Sequence, residues 1–242
     1  MIAAGRRPCL NRRPWAAIVL TCAAGIGACS APPYAEHAAE RPPLDTWSVE
    51  RRLPDDRVVL TGRIDANVFA LDPVIVTTAP ADPAGHDRVL GGPYQVRGFD
   101  DAGVELFSRR FDDAALVAVS SGGGRHFMFV VDVPGGAARL GRITLTAADG
   151  RDFVRAARIS SAELAAVLER GEGLAVERLA EGAVRVQWDA ARFVVLRLHH
   201  ARTGVALGVG RDGDIAVETE AGTLDLVLSD GVRSGATRVS AR

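Results

Sequence analysis

A chain of 242 residues with 29 basic and 30 acidic side chains carries a net charge of −1, and every one of those 29 is arginine. Without lysine there is no Schiff base, no Ser-Lys dyad and no P-loop lysine. A balance this close to neutral, with no clustered basic face, leaves no footprint for nucleic acid.

In chain order, Arg6, Arg7, Arg12 and Arg13 form a positive start, and the mostly apolar run from Trp15 to Ile26 has the size of a signal h-region. It is shorter than the roughly 20 residues needed to span a bilayer. The quartet Ile26-Gly27-Ala28-Cys29 then resembles the lipobox of bacterial lipoproteins. That resemblance implies diacylation of Cys29 and removal of residues 1–28. All three cysteines (Cys9, Cys22, Cys29) lie in the leader, so the exported chain cannot be a disulfide scaffold, and a lone cysteine at its start reads as an anchor. Val19-Leu20-Thr21-Cys22 has bulkier residues where small ones are wanted, and an ordinary cut near Ala31 is the competing reading. More than one acyl chain makes attachment stable. Ser30 at the next position implies outer-membrane residence in a bacterium with two membranes. The four leader arginines depart while all acidic residues stay, so the mature chain is acidic.

Ser30 to Leu44, SAPPYAEHAAERPPL, is rich in Pro and Ala without apolar period, and with Cys29 makes a tether over 29–44. In polyproline geometry it reaches about 45 Å.

A first β-sandwich is expected over 45–159. RVVLTGRI (57–64) places Val58, Leu60 and Ile64 on one face, and RHFMFVVDV (125–133) does the same for Phe127, Phe129, Val131 and Val133. YQVRGFDDAGVELFSRRF (94–111) predicts a hairpin turning through Asp100 to Gly103, and NVFALDPVIVTT, RLGRITLTA and DFVRAARI supply further strands. Residues 160–173 predict a helical linker, with Ser160 and Glu163 as a capping box, Leu164, Val167 and Leu168 as its apolar stripe, and Gly171 and Gly173 as its end.

A smaller sandwich is expected over 174–242, from VRVQW (184–188), FVVLRLHH (193–200), VALGVG (205–210), IAVET (215–219), TLDLVLS (223–229) and TRVSA (237–241). The VxVxW strand with Trp188 and the late LxLxLSDG hairpin through Ser229-Asp230-Gly231 resemble immunoglobulin-like or fibronectin-type modules. Similar pairs accompany the catalytic domain of secreted bacterial peptidases. The expected fold class is therefore all-β: two antiparallel immunoglobulin-like β-sandwiches joined by a short helix.

Candidate sites are few. Gly208, Gly210 and Gly213 satisfy GxGxxG, but an alternating run follows where a dinucleotide site needs a helix, so a hairpin is expected. Asp212 and Asp214 lack the spread of ligands a calcium loop needs. Ser120 and Ser121 precede glycines without a GxSxG elbow. His126 and Asp132 share a strand face about 20 Å apart, beyond hydrogen bonding. His199 and His200 point to opposite faces, so they cannot share a metal without a bend. Asp55-Asp56 and Asp112-Asp113 read as solvated strand ends, and Tyr34, Trp47, Tyr94 and Trp188 are too few aromatics for a sugar-stacking face.

These readings lead to an envelope lipoprotein with Cys29 as its lipid-attachment residue. It is expected to have no catalytic, cofactor or metal site. Its partners are the membrane, through the anchor, and an unidentified protein or envelope component. The expected role is that of a non-catalytic binding or structural module, and the peptidase resemblance implies an alternative, an accessory subunit or remnant of a secreted hydrolase system.

Overall fold

The alternating runs form strands where their period places apolar side chains on one face. The computed structural model describes residues 47–65, 68–77, 91–118, 124–179 and 182–241. The expected leader, Cys29 and the expected tether lie outside them, as do Ser120 and Ser121. Every strand pairing among the described residues is antiparallel.

The first half supplies two sheets. One is built on β2 (Arg57–Ile64), flanked by β3 (Phe69–Leu71) and the two-residue β4 (Ile75–Val76) on one side and by β8 (Arg125–Asp132), then β7 (Val117–Ala118), on the other. The second has the order β10 (Asp152–Ala156), β9 (Arg142–Ala147), β5 (Tyr94–Phe99), β6 (Glu105–Phe111). Val58 and Leu60 on β2 meet Val96, Ile143 and Leu145 of the second sheet in one core. Phe111 seats this core, with Phe127 and Phe129 centred 4.8 and 5.0 Å from its ring. The expected hairpin is present: Asp100 Oδ1 accepts the N–H groups of Ala102 (3.0 Å) and Val104 (2.9 Å), and Gly103 takes φ +82°.

Helix α1 (Ser161–Arg170) begins at the capping box. Glu163 N–H donates to Ser160 Oγ at 3.2 Å, and Glu163 Oε2 accepts from Ser160 N–H at 2.7 Å. It ends at Gly171, which adopts φ +71° and donates to the Val167 carbonyl at 2.9 Å. Leu164, Val167 and Leu168 are fully buried, so the helix seals the second core on the apolar face its sequence predicted.

The second half contributes β11 (Leu174–Arg178), β12 (Ala183–Trp188), β13 (Val195–His200), β14 (Ala206–Gly210), β15 (Asp214–Glu218), β16 (Thr223–Ser229) and β17 (Ser234–Ala241). They form a three-stranded sheet, β11-β12-β15, and a five-stranded one whose outer strand is β1 (Trp47–Arg52): β1-β17-β16-β13-β14. The first strand of the body thus pairs with the last, Val49 standing opposite Val239. The described residues belong to one compact unit.

This five-stranded sheet buries both of its faces. Leu196, Leu198, Leu224, Leu226 and Leu228 turn toward the second core, while Val195, Val227 and Ala236 join the first. Packing therefore crosses the expected boundary at 160–173 on both sides. Arg233, 2% exposed, donates from Nε to the Ala138 carbonyl (3.0 Å) and from its Nη groups to the Ile159 carbonyl and Asp101.

One expected hairpin is corrected. The glycine-rich LGVGRDG stretch is a strand–turn–strand, but β14 pairs with β13 and β15 pairs with β12, in different sheets. The reason is close sheet packing. A Cβ at Gly210 would lie 2.4 Å from the Trp188 ring, one at Gly208 would lie 2.8 Å from Ile215 and Val217, and Gly213 takes φ +86°. Glycine at these positions makes a corner between layers.

Candidate functional site

Alternation along β13 sends Val195, Arg197 and His199 to the face opposite Leu196 and Leu198. Register sets Arg197 between Val209 of β14 and Val227 of β16, and His199 beside Asp225. Over this face lies β4, tied down by Val76 N–H donating to Ser234 Oγ (3.0 Å) and Val74 N–H donating to the Gly231 carbonyl (3.2 Å). A strand of two residues covers only part of a five-stranded sheet. What remains open is a groove of two adjoining cavities, about 320 Å³ and about 140 Å³, with Ile75 and Arg197 lining both.

The larger cavity has an apolar wall of Leu53, Val59, Ile75, Val76, Val227 and Ala236. Its polar groups are mostly committed. Asp225 accepts from Arg238 through both oxygens, at 2.7 and 2.9 Å, and His199 Nδ1 lies 3.2 Å from the Gly204 carbonyl, to which it donates. This arrangement leaves His199 and Asp225 without the mutual hydrogen bond of a catalytic dyad. Arg197 is the exception. Its Nε is buried and has no hydrogen-bond partner, and no carboxylate among the described residues lies within ion-pair distance. Burial lowers its pKa, and the neighbouring Arg211 charge lowers it further. Arg211 and Asp72 border the smaller cavity. Two other depressions, of about 430 and 620 Å³, are wider but more open to solvent.

The two histidines part as alternation requires: His199 lines the groove, and His200 lines the separate 620 Å³ depression, where its Nδ1 accepts the Arg202 N–H at 3.2 Å. His126 stands opposite Arg63, while Asp132 accepts from Arg57 Nε at 3.1 Å. Asp214 is engaged by Arg185, Nε to Oδ1 at 2.9 Å. The acidic doublets do more than meet solvent. Asp112 caps a 3-10 turn at Asp113–Ala115, Asp113 accepts from Tyr94 Oη (3.2 Å) and Arg125 (3.0 Å), and Asp55 pairs with Arg52. Trp188 and Tyr94 are buried, and Trp47 is partly covered with Arg178 over its ring. Among the described residues no three His, Cys, Asp or Glu side chains gather as a metal would need, and no helix is long and apolar enough to cross a membrane.

The sequence reading passed over Arg197. The available signal was an arginine inside the run VVLRL, on a strand whose neighbours on both faces are apolar. Comparison of the chain with protein-family models, with curated proteins and with solved structures returned no match. The immunoglobulin-like resemblance thus rests on the VxVxW strand and the LSDG hairpin alone.

Proposed function

We propose that this protein is a cell-envelope lipoprotein, anchored through Cys29, whose β-body acts as a non-catalytic binding module. The observation that carries the binding role is the groove beside β4, where an arginine with no counter-ion among the described residues faces apolar walls. Such a group gains more from an incoming anion than an exposed arginine would, since part of its desolvation has already occurred. Support for the anchor comes from the Ile26-Gly27-Ala28-Cys29 quartet, the absence of later cysteines and the Pro-rich run that follows. Ser30 then directs the lipoprotein to the outer membrane where the cell has one.

The anchor is tested by expressing the wild-type and Cys29→Ser chains in a bacterial host with an alkyne palmitate analogue. Wild type is expected to take the label and fractionate with outer-membrane markers. The Cys29→Ser chain is expected to remain unlabelled, as precursor or released protein. Equal labelling of both chains would remove the anchor assignment, and co-fractionation of wild type with inner-membrane markers would remove the sorting assignment.

A further inference from the structure

We propose that the groove between β4 and the five-stranded sheet binds a small amphiphilic carboxylate, its head on Arg197 and its apolar body along Ile75, Val76, Val227 and Ala236. This rests on the reading of the body as a binding module and is independent of the anchor. Three observations lead to it.

The first is charge. Half-buried Arg197 projects from the middle of its strand between Val209 and Val227, its Nε is out of contact with solvent, and no described residue accepts from it. The acid across the strand pair, Asp225 beside His199, is already held by Arg238 through both oxygens. Asp72, on the rim of the smaller cavity, lies outside ion-pair distance, and Arg211 adds a second positive charge there. The local field therefore favours an anion.

The second is donor geometry. A carboxylate meets a guanidinium with two parallel N–H···O bonds, and the end-on form uses its two Nη groups. Arg197 Nε is sealed from solvent, so the groove offers a ligand the Nη end of the guanidinium, for which no partner is found among the described residues. One arginine matches the single charge of a carboxylate better than the nearly double charge of a phosphate monoester.

The third is shape. The larger cavity, about 320 Å³, falls at the lower end of the range for small-molecule sites, and apolar side chains form its wall. A bare inorganic anion leaves that wall in water, and an uncharged hydrocarbon leaves Arg197 unpaired. Only a ligand combining both features satisfies the groove.

Isothermal titration of the full chain with octanoate, octanol and acetate tests the inference, run in parallel on Arg197→Met. Octanoate is expected to bind wild type with one site, and octanol and acetate at least tenfold more weakly. Arg197→Met is expected to weaken octanoate by about ten- to a hundredfold, the worth of hydrogen bonds to a charged group. The same variant is expected to unfold at an equal or higher urea midpoint, because it removes a half-buried charge with no carboxylate partner among the described residues. Equal affinity of octanoate for both proteins, or no binding to wild type, overturns the site. A lower midpoint for Arg197→Met also counts against it, since the arginine would then serve the fold. These readings do not depend on acylation, so loss of octanoate binding with normal palmitate labelling removes the groove and leaves the anchor standing.

Discussion

The carboxylate of Asp230 accepts the backbone N–H of Ile159 at 3.2 Å, joining the β16–β17 turn to the residue before the α1 cap across 71 positions of sequence. The same oxygen accepts from Arg158 at 2.8 Å, and the other oxygen accepts from Val232 and Arg233, both at 2.8 Å. Asp230 is 1% exposed, so in the folded protein these donors depend on its carboxylate.

Asp230→Ala should therefore destabilise the protein by about 3 to 5 kcal/mol, since each orphaned buried donor costs about 1–3 kcal/mol and some relax toward solvent. Asp230→Asn should also be costly, because its amide nitrogen would face two N–H donors. Urea unfolding followed by far-UV circular dichroism measures both, and a loss below about 1 kcal/mol would show that the turn holds itself without the carboxylate.

Trp188 and Gly210 form a coupled pair. The indole Nε1 donates to the Phe193 carbonyl at 3.0 Å, and its ring occupies the space a Cβ at Gly210 would need. Trp188→Ala should cost about 3 to 5 kcal/mol, and Gly210→Ala about 1 to 3 kcal/mol from overpacking. In the double variant the new methyl group enters the vacated space, so the combined loss should fall short of the sum by more than 0.5 kcal/mol. Strict additivity in the double-mutant cycle would contradict this packing.

Segments 44–160 and 172–242, expressed separately, test how far the halves depend on each other. The second fragment lacks β1, which covers β17, and α1, whose Leu164, Val167 and Leu168 fill the second core. The first loses Val195, Val227, Val232 and Ala236 from its own core. The expectation is one cooperative thermal transition for the intact body and no cooperative unfolding of fragment 172–242. Two resolved transitions with a folded second fragment would instead establish independent modules.

Acid should weaken the fold through a defined set of carboxylates. Asp100 is held below the usual carboxylate range mainly by the Val104 N–H and also by Arg139. Glu163 is held low by the Ser160 N–H and hydroxyl, and Asp214 by Arg185. A depressed folded pKa contributes stability above the unfolded value, about 4, and that contribution is lost as pH falls through the lower folded values. The urea midpoint should thus hold level from neutrality to about pH 5 and decline below it. The triple variant Asp100→Asn, Glu163→Gln, Asp214→Asn should start lower and decline less steeply, and an unchanged acid slope would assign the acid sensitivity to other groups.

Local chemistry made much of this fold legible. The period-two runs of β2 and β8, the Asp100–Gly103 turn, the Ser160–Glu163 capping box and the β16–β17 hairpin each draw on side chains a few residues apart. Tertiary structure decided the partnerships. WSVERR carries no strong apolar period and becomes a strand because β17 offers it an edge. The glycines of LGVGRDG mark a turn in any sequence reading, but only the press of Trp188 and Ile215 against β14 makes that turn a corner between sheets. Arg197 reads as one more arginine among 29 until β4 and the five-stranded sheet close over it and leave its Nε without an acceptor. Side-chain period and capping act over one turn or two residues, whereas the burial and pairing of a charge depend on which distant strands arrive beside it.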